Sequence, residues 1–246
     1  MYSCLSKFEA HRWRLNLETI DVAAMGVAKE GLVLDLGAGG GRHALRAAEL
    51  GYKAFALDLS PDGLLEMKSW IESASQGSLM VSSIVADGTS LPFKDETFDA
   101  VICSEVLEHL ENPKDVLAEV ARVVKPGGKV GLSVPRTYPE AICWLISKEY
   151  HSAKGGHIRI FTRSALHRLT KESGLKLQGT SYTHALHSLY WWLKCLVGVD
   201  ERDLWVVRAY ERMLLRQMSN RSGILNQIDK KAGVLFGKSV VIYARR

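Results

Sequence analysis

An α/β fold, with a parallel sheet covered by helices on both faces, is predicted for this 246-residue chain by three observations. Apolar runs of strand length alternate with amphipathic runs of helix length from residue 32 to 135, which is the pattern of successive βαβ units. The first run, Leu32 to Leu36, opens onto four glycines in five positions (Gly37, Gly39, Gly40, Gly41), and a helix-forming segment follows. Strand, glycine turn and helix begin a nucleotide-binding unit. Acidic residues also stand at or just beyond the strand ends: Asp35, Asp58, Asp87 and Glu105. Ligands of parallel sheets bind beyond the carboxyl ends of the strands, so four acids in register mark a rim rather than solvated turns.

Taken in order, residues 1–29 carry apolar positions at Leu15, Leu17, Ile20, Val22 and Met25. They predict an N-terminal helical segment that packs on the sheet or closes over a cofactor. In the glycine turn the missing Cβ atoms let a ligand approach the backbone closely. Arg42 to Leu50 supplies the helix, and Lys53 to Ser60 the second strand. Asp58 lies 21 positions after Gly37, where the acidic partner of a ribose diol belongs. Ser60-Pro61 then starts a helix, serine as N-cap and proline at the first helical position. Met80 to Ala86 reads as the third strand, running into Asp87-Gly88, and Phe98 to Ser104 as the fourth. A helix over Pro113 to Val124 places Val116, Leu117, Val120 and Val123 on one face. Lys125-Pro126-Gly127-Gly128 stops it, and Lys129 to Pro135 is the fifth strand.

The dinucleotide fingerprint G-x-G-x-x-G/A fails from Gly37, because Arg42 occupies its last position. From Gly39 it fits Gly39, Gly41 and Ala44, two residues late relative to the strand. The glycine loop alone therefore leaves two cofactor classes open.

Composition narrows the setting. The chain is 47% hydrophobic and 24% charged, ordinary for a globular protein. Its net charge of +5 suits an anionic substrate or membrane surface. No compact Lys/Arg run or nucleic-acid motif is present, so no nucleic-acid partner is expected. Cys4, Cys103, Cys143 and Cys195 are far apart, with no C-x-x-C pair; buried inert thiols and no metal site are the expectation. No apolar run is long enough to span a bilayer and the N-terminus lacks a signal core, which predicts a cytoplasmic protein.

Several motifs then form one set. Asp35-Leu-Gly-Ala-Gly-Gly-Gly is followed by the Asp58 strand and by Asp87-Gly-x-x-Leu91-Pro92-Phe93-x-Asp95-x-x-Phe98-Asp99. Glu108-His109-Leu110-x-x-Pro113 and Leu117-x-Glu119-x-x-Arg122-Val-Val-Lys-Pro126-Gly-Gly128 complete it. This set, over about 30–135, resembles the class I S-adenosylmethionine-dependent methyltransferases of the type 11 branch, and quinone-biosynthesis methyltransferases are similar. The resemblance implies a Rossmann-like, seven-stranded, mostly parallel sheet whose last strand, Ser239 to Ala244, is antiparallel and whose preceding strand is Lys176 to Thr183. It implies one methyltransferase domain over 1–246, its core at 30–135, 161–183 and 238–246, with S-adenosylmethionine as cofactor. Carried onto this sequence, Gly37 and Gly39 cradle the methionine part and the ribose, and Asp58 holds the ribose hydroxyls with Leu59 beside it. Asp87 bonds the adenine amino group and Gly88 backs the ring. Ser104 and Glu105 flank the sulfonium end, and Asp35 orients the loop.

After Pro135 the chain departs from that pattern. Insertions at 136–160 and 184–237 are expected to build a helical cap over a small, hydrophobic or amphipathic acceptor. In the second, Tyr190-Trp191-Trp192 suits a greasy pocket, a buried cap helix or a membrane interface. Arg208, Arg212 and Arg216 share one helical face, so 185–218 is the expected place of any peripheral membrane contact. For an acceptor that holds its proton, His157 in its glycine-flanked loop and His109 are the candidate bases, with His184, His187 and Glu105 behind them. A nicotinamide-dependent oxidoreductase and a non-catalytic adaptor on the same fold are the competing readings. The displaced glycines, Asp35 and Asp87 weigh against the first, and the intact acidic rim against the second.

Overall fold

The structure, a computed structural model, describes residues 18–73, 79–151, 156–219 and 223–246. The expected N-terminal helical segment falls largely outside these residues; within them, Ala23–Met25 makes one 3-10 turn. Seven strands form one sheet: β1 (Leu32–Leu36), β2 (Lys53–Asp58), β3 (Val81–Val85), β4 (Phe98–Ser104), β5 (Val124–Pro135), β6 (Lys176–Thr183) and β7 (Ser239–Arg245). Their order is β3-β2-β1-β4-β5-β7-β6. β7 runs antiparallel to both β5 and β6, and the remaining neighbours are parallel.

Alternation along the strands decides what each face buries. Val33 of β1 and Ala100 and Ile102 of β4 point to one face, where they meet α1 (Arg42–Glu49) and α2 (Pro61–Ser73) through Ala44, Leu45, Leu64 and Met67. Leu34, Leu36, Val101 and Cys103 point to the other, against α3 (Pro113–Val123) and α6 (Arg163–Glu172). Between these last two helices the first insertion forms α4 (Thr137–Ile146) and α5 (Lys148–His151). The second forms α7 (Ala185–Val197), α8 (Trp205–Ser219) and α9 (Ile224–Phe236). Tyr190, Val207 and Leu214 give the cap a small core of its own.

Local chemistry explains several boundaries. The Thr162 side chain accepts the Ala165 N–H at 3.1 Å and caps α6. Ser60 accepts the Asp62 N–H at 3.4 Å at the start of α2. One boundary differs from the sequence reading: β5 begins at Val124, not Lys129, because Val124 pairs with Phe98 before a register shift lets Lys129 pair with Ala100. The Gly127-Gly128 turn is thus absorbed into the strand, with Gly127 at φ +76°. The loop between β3 and β4 is clasped by Arg122. Its guanidinium donates to both Glu119 oxygens at 2.7 and 2.8 Å, to Asp95 at 2.8 Å and to the Phe93 carbonyl at 2.8 Å. Cys103, Cys143 and Cys195 are buried and reduced.

Candidate active site

The carboxyl ends of β1, β2 and β4 and the chain just beyond β3 enclose a cavity of about 240 Å³. Gly37, Asp58, Leu59, Asp87, Gly88, Glu105 and His109 line it, with Leu36, Leu57, Val106 and Val116 as apolar walls. Asp35, Gly39, Ser104 and His157, also assigned to the site from sequence, are not on that lining.

The glycine loop is held from below and from both sides. Asp35 is 1% exposed, and its Oδ2 accepts the Ala44 N–H at 2.9 Å, at the first turn of α1. Burial pushes its carboxyl up to about 7, although that N–H and nearby Arg42 oppose the rise. Its place is therefore beneath the loop. Gly37 takes φ +71°, and a Cβ there would lie 2.2 Å from Val106 Cγ2. Gly39, at φ +50°, has nothing within 4 Å of the place a Cβ would fill, and its N–H donates to Asp58 Oδ2 at 2.8 Å. Gly63 of α2, which sequence reasoning missed, backs the loop: a Cβ on it would stand 2.4 and 2.5 Å from the Gly39 carbonyl carbon and oxygen. No local signal separates this glycine from any other helical glycine.

The acids of the rim differ in their engagements. Asp58 accepts Gly39 N–H on one oxygen and Ser60 N–H, at 2.9 Å, on the other. Each oxygen keeps a further lone pair for the cavity. Asp87 Oδ1 accepts both the backbone N–H and the hydroxyl of Thr89 at 2.8 Å, which holds its carboxyl below the usual range. Its Oδ2 accepts no hydrogen bond among the described residues. Glu105 is left-handed at φ +56°, a conformation that costs a non-glycine residue about 1 kcal/mol or more and clusters at functional sites. Ser133 Oγ donates to Glu105 Oε1 at 2.9 Å and also pairs with Ser104 Oγ at 2.9 Å. Ser104 is 7% exposed, and its hydroxyl braces Ser133 and Glu105.

Beside Glu105 lies a second group, assembled from both sides of the first insertion. Glu140 of α4 is 2% exposed; His157 Nδ1 meets its Oε1 at 2.6 Å, Trp144 Nε1 donates to the same oxygen at 3.1 Å, and Tyr150 O–H donates to Oε2 at 3.2 Å. Burial would raise this carboxyl, but the His157 hydrogen bond and charge, with Lys238 and Tyr150, outweigh it and leave it below the usual range. Glu108, fully buried, is pushed up to about 9 by burial and then by Glu105. His109 and His157 stack edge to face with ring centroids 5.1 Å apart. The fold gathers Glu108, His109 and His157, which no sequence spacing linked as a set, so that one potential ligand atom from each lies within 4.8 Å of the others. Glu140 stood in an insertion without a motif, and nothing marked it out.

His184 and His187 stand apart from this group. Both are buried, their rings are 5.4 Å apart, and burial lowers both, His187 to about 3, so they are neutral at neutral pH. The charge of Lys238 acts on Glu108 and Glu140 on one side and on both of these histidines on the other. Trp191 and Trp192 turn into the cap. Lys238 Nζ sits 5.3 Å from the Trp191 ring centroid, and Trp192 Nε1 donates to the Pro139 carbonyl at 3.1 Å.

Comparison with known proteins bears on this site. Residues 34–132 match the family model described as a methyltransferase domain. A demethylmenaquinone methyltransferase of Renibacterium salmoninarum is 37% identical over 126 residues, 51% of this chain and 48% of that protein. A ubiquinone biosynthesis O-methyltransferase of Dechloromonas aromatica is 33% identical over 198 residues, 70% of this chain and 83% of that protein. Against several other relatives the match spans about half their length. Among solved structures, Haemonchus contortus phosphoethanolamine N-methyltransferase 2, in complex with S-adenosyl-L-methionine, superposes with a TM-score of 0.61 at 18% identity, covering 95% of this chain and 52% of that one. Fold, rim and relatives agree, and the chain belongs to the class I S-adenosylmethionine-dependent methyltransferases.

Proposed function

We propose that this protein transfers a methyl group from S-adenosylmethionine to a small, hydrophobic or amphipathic acceptor. One observation carries the reading: Gly37, Asp58, Asp87 and Glu105 face a single cavity at the carboxyl rim of the sheet. In this reading Asp58 takes the ribose hydroxyls, with Leu59 against the nucleoside, and Asp87 takes the adenine amino group over Gly88. Gly37 and Gly39 leave room for the ribose and methionine parts, and Glu105, braced by Ser104 and Ser133, faces the sulfonium end. Asp35 contributes by fixing the loop. The bound cofactor supplies a methyl group on a sulfur that departs as a neutral thioether. The chain's own tasks are to align the acceptor atom with that methyl and to exclude water.

His157, oriented by Glu140, is the side chain we assign to the proton of a hydroxyl acceptor, with His109 beside it. The names of the Renibacterium and Dechloromonas relatives, both quinone methyltransferases, support a lipid-like acceptor. The test is calorimetric titration with S-adenosylhomocysteine, together with transfer of radiolabelled methyl to lipid-soluble acceptors. His157→Ala is expected to cut turnover at least 10-fold while S-adenosylhomocysteine affinity stays within about 2-fold. A chain that binds NADH and not S-adenosylhomocysteine would end the reading.

The same proposal includes peripheral membrane contact through 185–218, where a lipid-like acceptor would be met. No helix among the described residues is long and apolar enough to cross a membrane. Leu196 is 69% and Trp205 76% exposed, and Arg208, Arg212 and Arg216 are exposed on α8. Apolar tips beside a basic face suit an anionic interface. In flotation with anionic vesicles the protein is expected to rise with the lipid, and the double variant Trp205→Ala, Arg212→Glu to remain below. Wild-type protein left at the bottom of the gradient removes this part.

A further inference from the structure

Glu108 sits in a 3-10 turn, Leu107–His109, immediately beyond the cofactor cavity. Its side chain is 1% exposed, and neither carboxylate oxygen has a hydrogen-bond partner. Buried carboxylates are normally satisfied, so this one calls for a partner. What faces it is two imidazoles. His109 Nε2 and His157 Nε2 each lie 3.9 Å from Glu108 Oε1.

The opposite nitrogens of both rings are already committed. His109 Nδ1 meets the Gly156 carbonyl at 3.3 Å, and His157 Nδ1 meets Glu140 Oε1 at 2.6 Å. A carbonyl and a carboxylate only accept, so in the neutral rings both Nδ1 atoms carry the hydrogen and both Nε2 atoms carry lone pairs. Two imidazole nitrogens and a buried carboxyl oxygen that has no hydrogen-bond partner thus converge on one point. The three potential ligand atoms lie within 4.8 Å of one another.

We propose that Glu108, His109 and His157 bind a divalent transition-metal cation beside the methyl-transfer site. At metal–ligand distances of about 2.0–2.2 Å, neighbouring ligand atoms stand roughly 3–3.5 Å apart, so the two Glu108–histidine separations close by about 0.4–0.9 Å and the separation between the two imidazoles by about 1.8 Å at most. Two imidazoles and one carboxylate suit zinc, iron or manganese better than magnesium or calcium. Glu140 behind His157 is the carboxylate partner that orients a ligating imidazole, and here it is a positioning residue. Three protein ligands leave at least one coordination position open. His109 and Glu105 both line the cofactor cavity, which places that position on the acceptor side.

This inference rests on the methyltransferase reading and makes it more specific: the acceptor atom is an oxygen. The cation takes the His157 lone pair assigned above to proton uptake and does that work itself, by lowering the pKa of an acceptor hydroxyl. The hydroxyl proton leaves to solvent, an oxygen lone pair forms the O–CH₃ bond, and the C–S pair stays on sulfur as the sulfonium becomes a thioether.

The test is calorimetric titration of the chelator-treated full chain with Zn²⁺, and separately with S-adenosylhomocysteine. One zinc per chain is expected. Glu108→Gln, His157→Ala and the half-exposed His109→Ala should each weaken zinc at least 10-fold, and Glu140→Gln about 10-fold or more. His109→Ala guards against misfolding as the cause, and melting temperatures check the buried variants. Asp58→Ala should leave zinc affinity unchanged. Zinc binding without S-adenosylhomocysteine binding would overturn the methyltransferase reading and keep the site. S-adenosylhomocysteine binding with no stoichiometric zinc, or zinc binding that survives every ligand substitution, would overturn the site and leave the methyltransferase reading standing.

Discussion

Asp58→Ala is expected to weaken S-adenosylhomocysteine binding about 100-fold. Two hydrogen bonds from ribose hydroxyls to a carboxylate contribute about 1.5–3 kcal/mol each, so losing the pair, net of water's compensation, amounts to about 3 kcal/mol. The substitution also removes the acceptor of the Gly39 and Ser60 N–H groups, at 2.8 and 2.9 Å, so the Gly39 end of the loop is loosened while Gly37 and Ala38 stay bonded to the Leu57 carbonyl. Asp58→Asn keeps one acceptor oxygen without the charge and should fall between, at about 10-fold. Calorimetry at fixed ionic strength measures both. An alanine variant within about 2-fold of wild type would mean that the ribose lies elsewhere and that the assigned strand register does not set the cofactor's position.

Gly63→Ala is the second large effect, because its sign runs against the usual expectation. Within a helix, alanine in place of glycine normally stabilises by about 1 kcal/mol. Gly63 is the third residue of α2, yet its Cβ would come within 2.4 Å of Gly39 backbone, which cannot swing aside as a flexible side chain can. Overpacking of this kind costs about 1–3 kcal/mol, enough to cancel the gain and reverse it. The melting temperature should fall by several degrees, roughly 2–4 °C per kcal/mol for a chain of this size. The displaced Gly39 N–H should also weaken S-adenosylhomocysteine binding. A melting temperature that rises, with affinity unchanged, would show that α2 and the glycine loop are not in contact.

What the sequence disclosed divides by the range of the interaction. β4 spans Phe98–Ser104 as its apolar run predicted, and β1, β2 and β3 lie within a residue or two of their expected bounds, because alternation and turn residues are local signals. The start of β5 was misjudged because the pairing of Val124 with Phe98 is a contact between distant residues that overrides the glycines following it. At the site, Asp58 and Asp87 could be found because strand ends are legible and the rim follows from topology. Asp35 could be found too, though its role beneath the loop shows only in its bond to Ala44. Glu140 was invisible: its partner His157 is 17 residues away across an insertion with no motif. Glu108 and His109 were read as part of a motif, but the convergence of His157 on them depends on how that insertion folds back. The Trp191-Trp192 pair looked equally suited to lipid or core, and only the bond from Trp192 to Pro139 shows it turned inward.

Both cap insertions leave the sheet from its β5-β7-β6 half, whereas the rim cavity is framed by β1, β2, β3 and β4. Beside that cavity the halves are joined across the β4–β5 boundary, where Ser133 bonds to Ser104 and Glu105. The first insertion reaches back to the cavity's half through Gly156 and Ile158, whose carbonyl and N–H meet His109 Nδ1 and the Glu108 carbonyl at 3.3 and 3.1 Å, so a change in the cap is felt at the rim through these bonds.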